Sequence, residues 1–201
     1  MDLIALVRGV SPLEAAAVGF GVLYLVLAIR QNILCWPAGL IGALLSVLLL
    51  FEARLYGESA LQIFYAAMSV YGWQQWRAGR KGDARAELPV RTWPTSAHAA
   101  ALGGSLAAAA ALGWAMSHTP AQFPYADAWV TVASLVTTYM VAKKVLENWA
   151  YWFVIDGLSV YLSFARSLPL YAALNVLYLV MIVIGFYRWH RDWRAQPALA
   201  A

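Results

Sequence analysis

Residues 62–76 read QIFYAAMSVYGWQQW, and residues 175–189 read NVLYLVMIVIGFYRW. An amide, a tyrosine, a glycine and a tryptophan recur at one spacing, Gln62-x2-Tyr65-x6-Gly72-x3-Trp76 and Asn175-x2-Tyr178-x6-Gly185-x3-Trp189. Upstream of each block stands a second pair, Asn32-x3-Trp36 and Asn148-x3-Trp152, with the gap between blocks three residues shorter in the second half. The recurrence predicts an internal duplication, and on this pairing Asp156 corresponds to Leu40.

The surrounding composition says what kind of unit is duplicated. Of 201 residues, 63% are apolar and 12% charged, with mean hydropathy +0.64. Soluble domains sit near ~45–50% apolar and about 25% charged, so a water-soluble fold is excluded. With 14% aromatic residues and little charge, disorder is excluded too. The single Cys35 excludes a disulfide scaffold and is read as a small packing residue. Seven apolar stretches lie between the charges: Leu13–Ile29, Ile33–Phe51, Ser59–Trp76, Ala97–Ser117, Ala128–Ala142, Trp149–Ala165 and Leu168–Tyr187. Each approaches the ~17–25 residues that cross a hydrocarbon core. The first is read as a span and not as a cleaved leader, because apolar segments continue to the end.

The expected fold class is an all-α membrane protein of seven transmembrane helices arranged as 3+1+3 parallel repeats. Its expected parts are an N-terminal segment 1–12, a three-helix repeat 13–76, a charged linker 77–96, a linker helix 97–117, a second repeat 125–189 and a tail 190–201. An odd linker helix makes both repeats enter the membrane in one direction, and such proteins carry substrate where the repeats meet. Lys and Arg fall unevenly on alternate sides. One side holds Arg30, Arg77, Arg80, Lys81, Arg85, Arg91, Lys143, Lys144, Arg188, Arg191 and Arg194; the other holds Arg8, Arg54 and Arg166. The positive-inside rule then places the N-terminus outside and the C-terminus in the cytoplasm. The net charge of +4 reports these loops, not a nucleic-acid surface.

Helical periodicity places the polar residues in stripes. Asn148, Trp152, Asp156 and Ser159 share a face of the sixth stretch, with Trp149 beside it. Gln62, Tyr65 and Ser69 share one on the third, and Asn175 and Tyr178 one on the seventh. Amides and phenols facing lipid would leave donors unpaired, so these faces turn inward, either as interhelical hydrogen bonds or as a pathway. Asp156 is the one formal charge near mid-span. An acid there costs about 2.5–3.5 kcal/mol or more unless compensated, which makes it a candidate ion or substrate site or, alternatively, a neutral buried acid. Trp93, Trp114, Trp129 and Trp193 lie near span ends and read as interface anchors. Trp36, Trp149 and Trp152 accompany amides, and an indole face attracts a cationic ring. Aromatics, amides and one acid suit an uncharged or cationic ring compound and suit a phosphorylated one badly. His98, His118 and His190 are scattered without ligand spacing, so no metal is expected. The chain has no phosphate-binding glycine loop and calls for no cofactor. An intramembrane enzyme using Asp156 as acid or base would lack a second titratable partner at depth.

Two strings carry a family resemblance. Leu61-Gln62-Ile63-Phe64-Tyr65 with Tyr71-Gly72-Trp73 and Trp76, and Glu147-Asn148-Trp149-Ala150-Tyr151-Trp152 with Asp156, Asn175-Val176-Leu177-Tyr178, Gly185 and Trp189, resemble the nicotinamide riboside transporter family, PnuC and its Pnu-type relatives. The likeness covers residues 26–76 and 140–189. It implies a SWEET-like 3+1+3 fold assembled as a homotrimer in the bacterial inner membrane, with lipid around it. It further implies uptake of nicotinamide riboside by facilitated diffusion, trapped by a cytoplasmic kinase that feeds NAD biosynthesis; thiamine or riboflavin are the alternative cargoes. Carried over by motif, Gln62, Trp149, Trp152, Asn175 and Tyr178 contact substrate, with Asn148 and Asp156 at the motif's core. The resemblance also allows an amide at the position of Asp156, so its charge tunes the cargo. With Trp36, an indole that accompanies amides, and Tyr65 from the third stretch's stripe, these form the candidate substrate site.

Overall fold

A computed structural model describes residues 10–52, 54, 56–78 and 88–196. Arg8, Arg80, Lys81 and Arg85, and the ends of the expected terminal segments, lie outside the described residues. Those residues form seven helices and no strand. They are α1 (Pro12–Ile29), α2 (Cys35–Glu52), α3 (Tyr56–Ala78), α4 (Thr95–Met116), α5 (Pro124–Ala142), α6 (Asn148–Ala165) and α7 (Pro169–Ala195). Each overlaps one expected stretch, and the shortest, at 18 residues, rises about 27 Å, close to a hydrocarbon core. Four of them, α1, α2, α4 and α7, are apolar enough to cross a membrane by length and composition. The other three carry more polar residues, among them Glu58, Gln62, Gln74 and Gln75 on α3, Asp127, Thr137 and Thr138 on α5, and Asn148 and Asp156 on α6.

Local chemistry sets the helix ends. Ser11 Oγ accepts the Glu14 N–H at 3.1 Å, and Glu14 Oε2 accepts the Ser11 N–H at 2.7 Å, a capping box that starts α1 ahead of Pro12. Proline also opens α5 and α7, where its missing N–H costs nothing. Exposed side chains along the helices are largely apolar, Leu44, Leu48, Ile63, Phe153, Val154, Phe164 and Val180 among them, as a lipid-facing surface requires.

The chain divides into two compact units, Met1–Leu88 and Pro89–Ala201. In unit 1, α2 packs against both α1 and α3; in unit 2, α6 packs against α5 and α7, and α4 packs on α5. The two units share a register that the sequence motifs do not reveal. Among the described residues, four that are not glycine have positive φ: Gln31 (54°), Arg54 (61°), Lys144 (51°) and Ser167 (58°). Gln31 and Lys144 lie 113 positions apart, and so do Arg54 and Ser167. Around them the hydrogen bonds repeat. Gln31 N donates to Ala28 O and Asn32 N to Leu27 O, as Lys144 N does to Val141 O and Val145 N to Met140 O. Arg54 N donates to Phe51 O, as Ser167 N does to Phe164 O. The left-handed conformation costs an L-residue roughly 1–2 kcal/mol, and here it closes the same tight helix end four times.

This single offset corrects the expected pairing of Asn32 with Asn148 and of Trp36 with Trp152. Trp36 corresponds to Trp149, Cys35 to Asn148, and Asp156 to Ala43, not to Leu40. The interiors agree. Trp36 is 1% and Trp149 2% exposed. Trp36 meets Trp76 edge-on at 5.4 Å between centroids and 87°, and Trp149 meets Trp189 at 5.3 Å and 88°. The six-membered ring of each buried indole lies on Gly72 or Gly185, where any Cβ would collide with it. The repeated Gly-x3-Trp is therefore a packing device: the glycine admits the indole of the preceding helix, and the tryptophan closes its edge.

Candidate functional site

The polar face of unit 2 is built by α6 and α7. Trp152 and Asp156 sit one turn apart on α6, both half-buried. Across the seam, the Tyr178 phenol on α7 is an electrostatic neighbour of the Asp156 carboxylate. One turn before Tyr178, Asn175 Nδ2 donates to Ser163 Oγ of α6 at 3.4 Å, a long bond that leaves most of its amide's capacity free. Between these groups Ser159 Oγ donates to its own helix at Ile155 O (2.9 Å), so its hydroxyl is already engaged as a donor. No Lys, Arg or His among the described residues pairs with Asp156. The structure thus brings Trp152, Asp156, Asn175 and Tyr178 onto one seam: an indole, a carboxylate, an amide and a phenol.

Asn148 and Trp149 stand at the head of α6 and are buried. Asn148 Nδ2 donates to Val145 O at 2.6 Å, while its Oδ1 has no partner. Trp149 Nε1 is also unpartnered, and so is Trp36 Nε1 in unit 1. A buried donor or acceptor left unmade costs about 1–3 kcal/mol. The faces of Trp36 and Trp149 are occupied by their own units, so in this conformation their open capacity is the indole N–H and not the ring. The sequence expectation that Trp36, Trp149 and Trp152 can each offer a ring face is narrowed: Trp152, aligned with Gly39, is the indole of the three that is not sealed. In unit 1, Gln62 and Tyr65 are half-buried on α3, one turn apart, and Ser69 Oγ donates to Tyr65 O at 2.8 Å.

One group on unit 2 escaped the sequence reading. His98, at the start of α4, meets Tyr151 OH through Nδ1 at 3.0 Å and approaches Glu147 Oε1 at 3.9 Å. No spacing motif joins these residues; only the fold does. Among the described residues no cluster of His, Cys, Asp and Glu could hold a metal.

Residues 11–191 match the model of a family described as nicotinamide mononucleotide transporter. The chain belongs to that family. Among its similar proteins is the riboflavin/roseoflavin transporter RibM of Streptomyces davaonensis, 29% identical over 178 residues, 86% of this chain and 80% of RibM. The nicotinamide riboside transporter PnuC of Escherichia coli is 27% identical over 175 residues, 75% of this chain and 73% of PnuC. The PnuC of Neisseria mucosa is 27% identical over 195 residues, 89% of this chain and 72% of that protein. A crystal structure of the vitamin B3 transporter PnuC superposes with a TM-score of 0.74, covering 92% of this chain and 83% of the other at 23% identity. The fold is therefore the PnuC fold, and this member of the nicotinamide mononucleotide transporter family is a membrane protein whose similar proteins are vitamin transporters.

Proposed function

We propose that the chain takes up nicotinamide riboside, with Trp152, Asp156, Asn175 and Tyr178 of unit 2 facing the cargo; Gln62 and Tyr65 are the matching candidates of unit 1. The observation that carries this reading is the unpaired Asp156 one turn from Trp152. A carboxylate and an indole face both attract a cationic pyridinium, by about 2 kcal/mol or more for the ring contact once water is excluded. The neighbouring amides and phenol supply donors and acceptors for a ribose and a carboxamide. The same acid repels a phosphate, so the unphosphorylated nucleoside is the cargo, and later phosphorylation in the cytoplasm traps it and feeds NAD biosynthesis. The resemblance to PnuC supports movement by facilitated diffusion. Asn148 Oδ1 and Trp149 Nε1, unpartnered at the head of α6, are further candidate hydrogen-bonding groups, and Trp36 holds the matching place in unit 1. The Lys and Arg distribution supports an external N-terminus and a cytoplasmic C-terminus in a bacterial inner membrane. The exposed apolar surface supports contact with lipid and with further copies in a homotrimer.

A second reading is riboflavin uptake, favoured by the 29% identity to RibM; thiamine, also a cation, satisfies Asp156 as well as nicotinamide riboside does. Titrating the purified protein with the three vitamins, and following their entry into proteoliposomes, decides among them. Saturable binding of nicotinamide riboside is expected, flavin-only binding moves the assignment to riboflavin, and no binding with no entry removes the transport reading.

A further inference from the structure

Unit 2 holds a polar cluster that the seam of α6 and α7 does not use. The segment before α4 runs along the turn between α5 and α6 and is stitched to it. Arg91 N donates to Lys144 O at 3.0 Å, Leu146 N to Arg91 O at 2.8 Å, and Arg91 Nε to Lys143 O at 3.1 Å. With its amide oriented to satisfy both partners, Gln196 donates to Val90 O and accepts from Val90 N, each at 3.0 Å. Trp93 N donates to Glu147 Oε2 at 3.4 Å. The other carboxylate oxygen of Glu147 faces His98 Nε2 at 3.9 Å, while His98 Nδ1 meets Tyr151 OH at 3.0 Å with the two rings stacked 5.9 Å apart. Val145 and Leu146 in this turn are buried; Asn32, at the position of Val145 in unit 1, is exposed.

Glu147 and Tyr151 stand one turn apart at the start of α6, and Tyr151 immediately precedes Trp152. A helix gripped at its first turn by a backbone strap and by two side chains has its rotation about its own axis fixed there. Side-chain tips lie roughly 5–6 Å from that axis, so a rotation of about 20° displaces them by about 2 Å. That is enough to turn an indole face or a carboxylate off a bound ring.

We infer that His98, Glu147 and Tyr151 form a latch whose task is to aim Trp152 and Asp156 at the cargo. All three are positioning residues. The inference rests on the vitamin-binding reading above, and its test separates the two. The full chain is purified in detergent and titrated with nicotinamide riboside, thiamine and riboflavin by tryptophan fluorescence, with thermal stability measured alongside. His98→Ala is expected to weaken the dissociation constant about fivefold for whichever vitamin the unaltered chain binds, the loss of roughly one hydrogen bond, at a nearly unchanged melting temperature. His98→Gln, which keeps a donor and an acceptor, recovers part of that loss. Asn32→Ala, in the equivalent turn of unit 1, leaves affinity unchanged. Should His98→Ala not fold, Tyr151→Phe keeps the stacked ring and removes only the hydroxyl; a loss of about threefold is expected. Affinities within twofold of the unaltered chain in every folded latch variant, or losses that merely follow falling thermal stability, overturn the latch alone. An unaltered chain that binds no vitamin overturns the function and the latch together.

Discussion

The two units share a backbone and differ in what they line it with. At the constant 113-residue offset their left-handed turn residues coincide, and so do the buried indoles over Gly72 and Gly185 and the edge-on Trp76 and Trp189. Along the polar stripe of α6 they part. Asn148, Trp152, Asp156, Ser159 and Ser163 correspond to Cys35, Gly39, Ala43, Ser46 and Leu50 of α2. The space at Gly39 is taken by Tyr24 and the Ser69 hydroxyl, either of which a Cβ there would meet within 3.2 Å. On α3 and α7 the units agree again, Gln62 with Asn175 and Tyr65 with Tyr178. Packing tolerates little change once an indole is seated against a bare backbone, so the frame is kept in both copies. The lining of one helix is free to differ, and in unit 2 it carries an acid and an extra indole.

The largest effects should fall equally on both units. Trp36→Ala and Trp149→Ala each empty a core position nearly sealed from solvent, a change that costs about 3–5 kcal/mol. Comparable falls in melting temperature in detergent are expected for the two; a loss confined to one variant breaks the structural equivalence. The next effect should be one-sided. Trp152→Ala, on a half-buried position with no counterpart side chain at Gly39, should weaken cargo binding about 30-fold, the loss of a desolvated ring contact of about 2 kcal/mol, while leaving thermal stability near that of the unaltered chain. Unchanged binding removes Trp152 from the site and with it the functional asymmetry. Asp156→Asn then separates charge from shape. Loss of one ionic attraction across a partly buried gap weakens nicotinamide riboside or thiamine about tenfold, and riboflavin binding stays as it was. Equal losses for charged and uncharged vitamins assign Asp156 to packing.

Much of this frame was legible in the residues. Charges cluster where helices stop, so every apolar stretch overlaps an observed helix, and Gly72-x3-Trp76 with Gly185-x3-Trp189 announced the duplication. The upstream register departs from the sequence spacing for a physical reason. Asn32 and Asn148 each precede a tryptophan by four residues, whereas the residues that are equivalent in space, Cys35 and Asn148, share no chemistry. The turns that set the register use Gln31, Lys144, Arg54 and Ser167, where glycine would ordinarily have flagged a left-handed conformation. Trp149 and Trp152 are alike in a string, yet only packing shows that one is sealed and the other half-open. The group at His98 was illegible because it joins two helices and a strap through pairings some fifty residues apart.

The smallest effect tests how far the agreement between α3 and α7 extends into function. Gln62 and Asn175 are equivalent by register, and Asn175 spends only a 3.4 Å bond on Ser163. Side-chain hydrogen bonds between membrane helices average about 0.6 kcal/mol, because the less folded state finds partners too. If both amides reach the cargo, Gln62→Ala and Asn175→Ala should each weaken binding about threefold, and the double variant about tenfold, since distant contributions add. An amide that serves only as glue would change melting temperature and leave the dissociation constant alone. A threefold loss in Asn175→Ala with none in Gln62→Ala would extend the asymmetry of the α6 stripe to α7, and unit 1 would then be a frame that has kept the shape of a half-site without its chemistry.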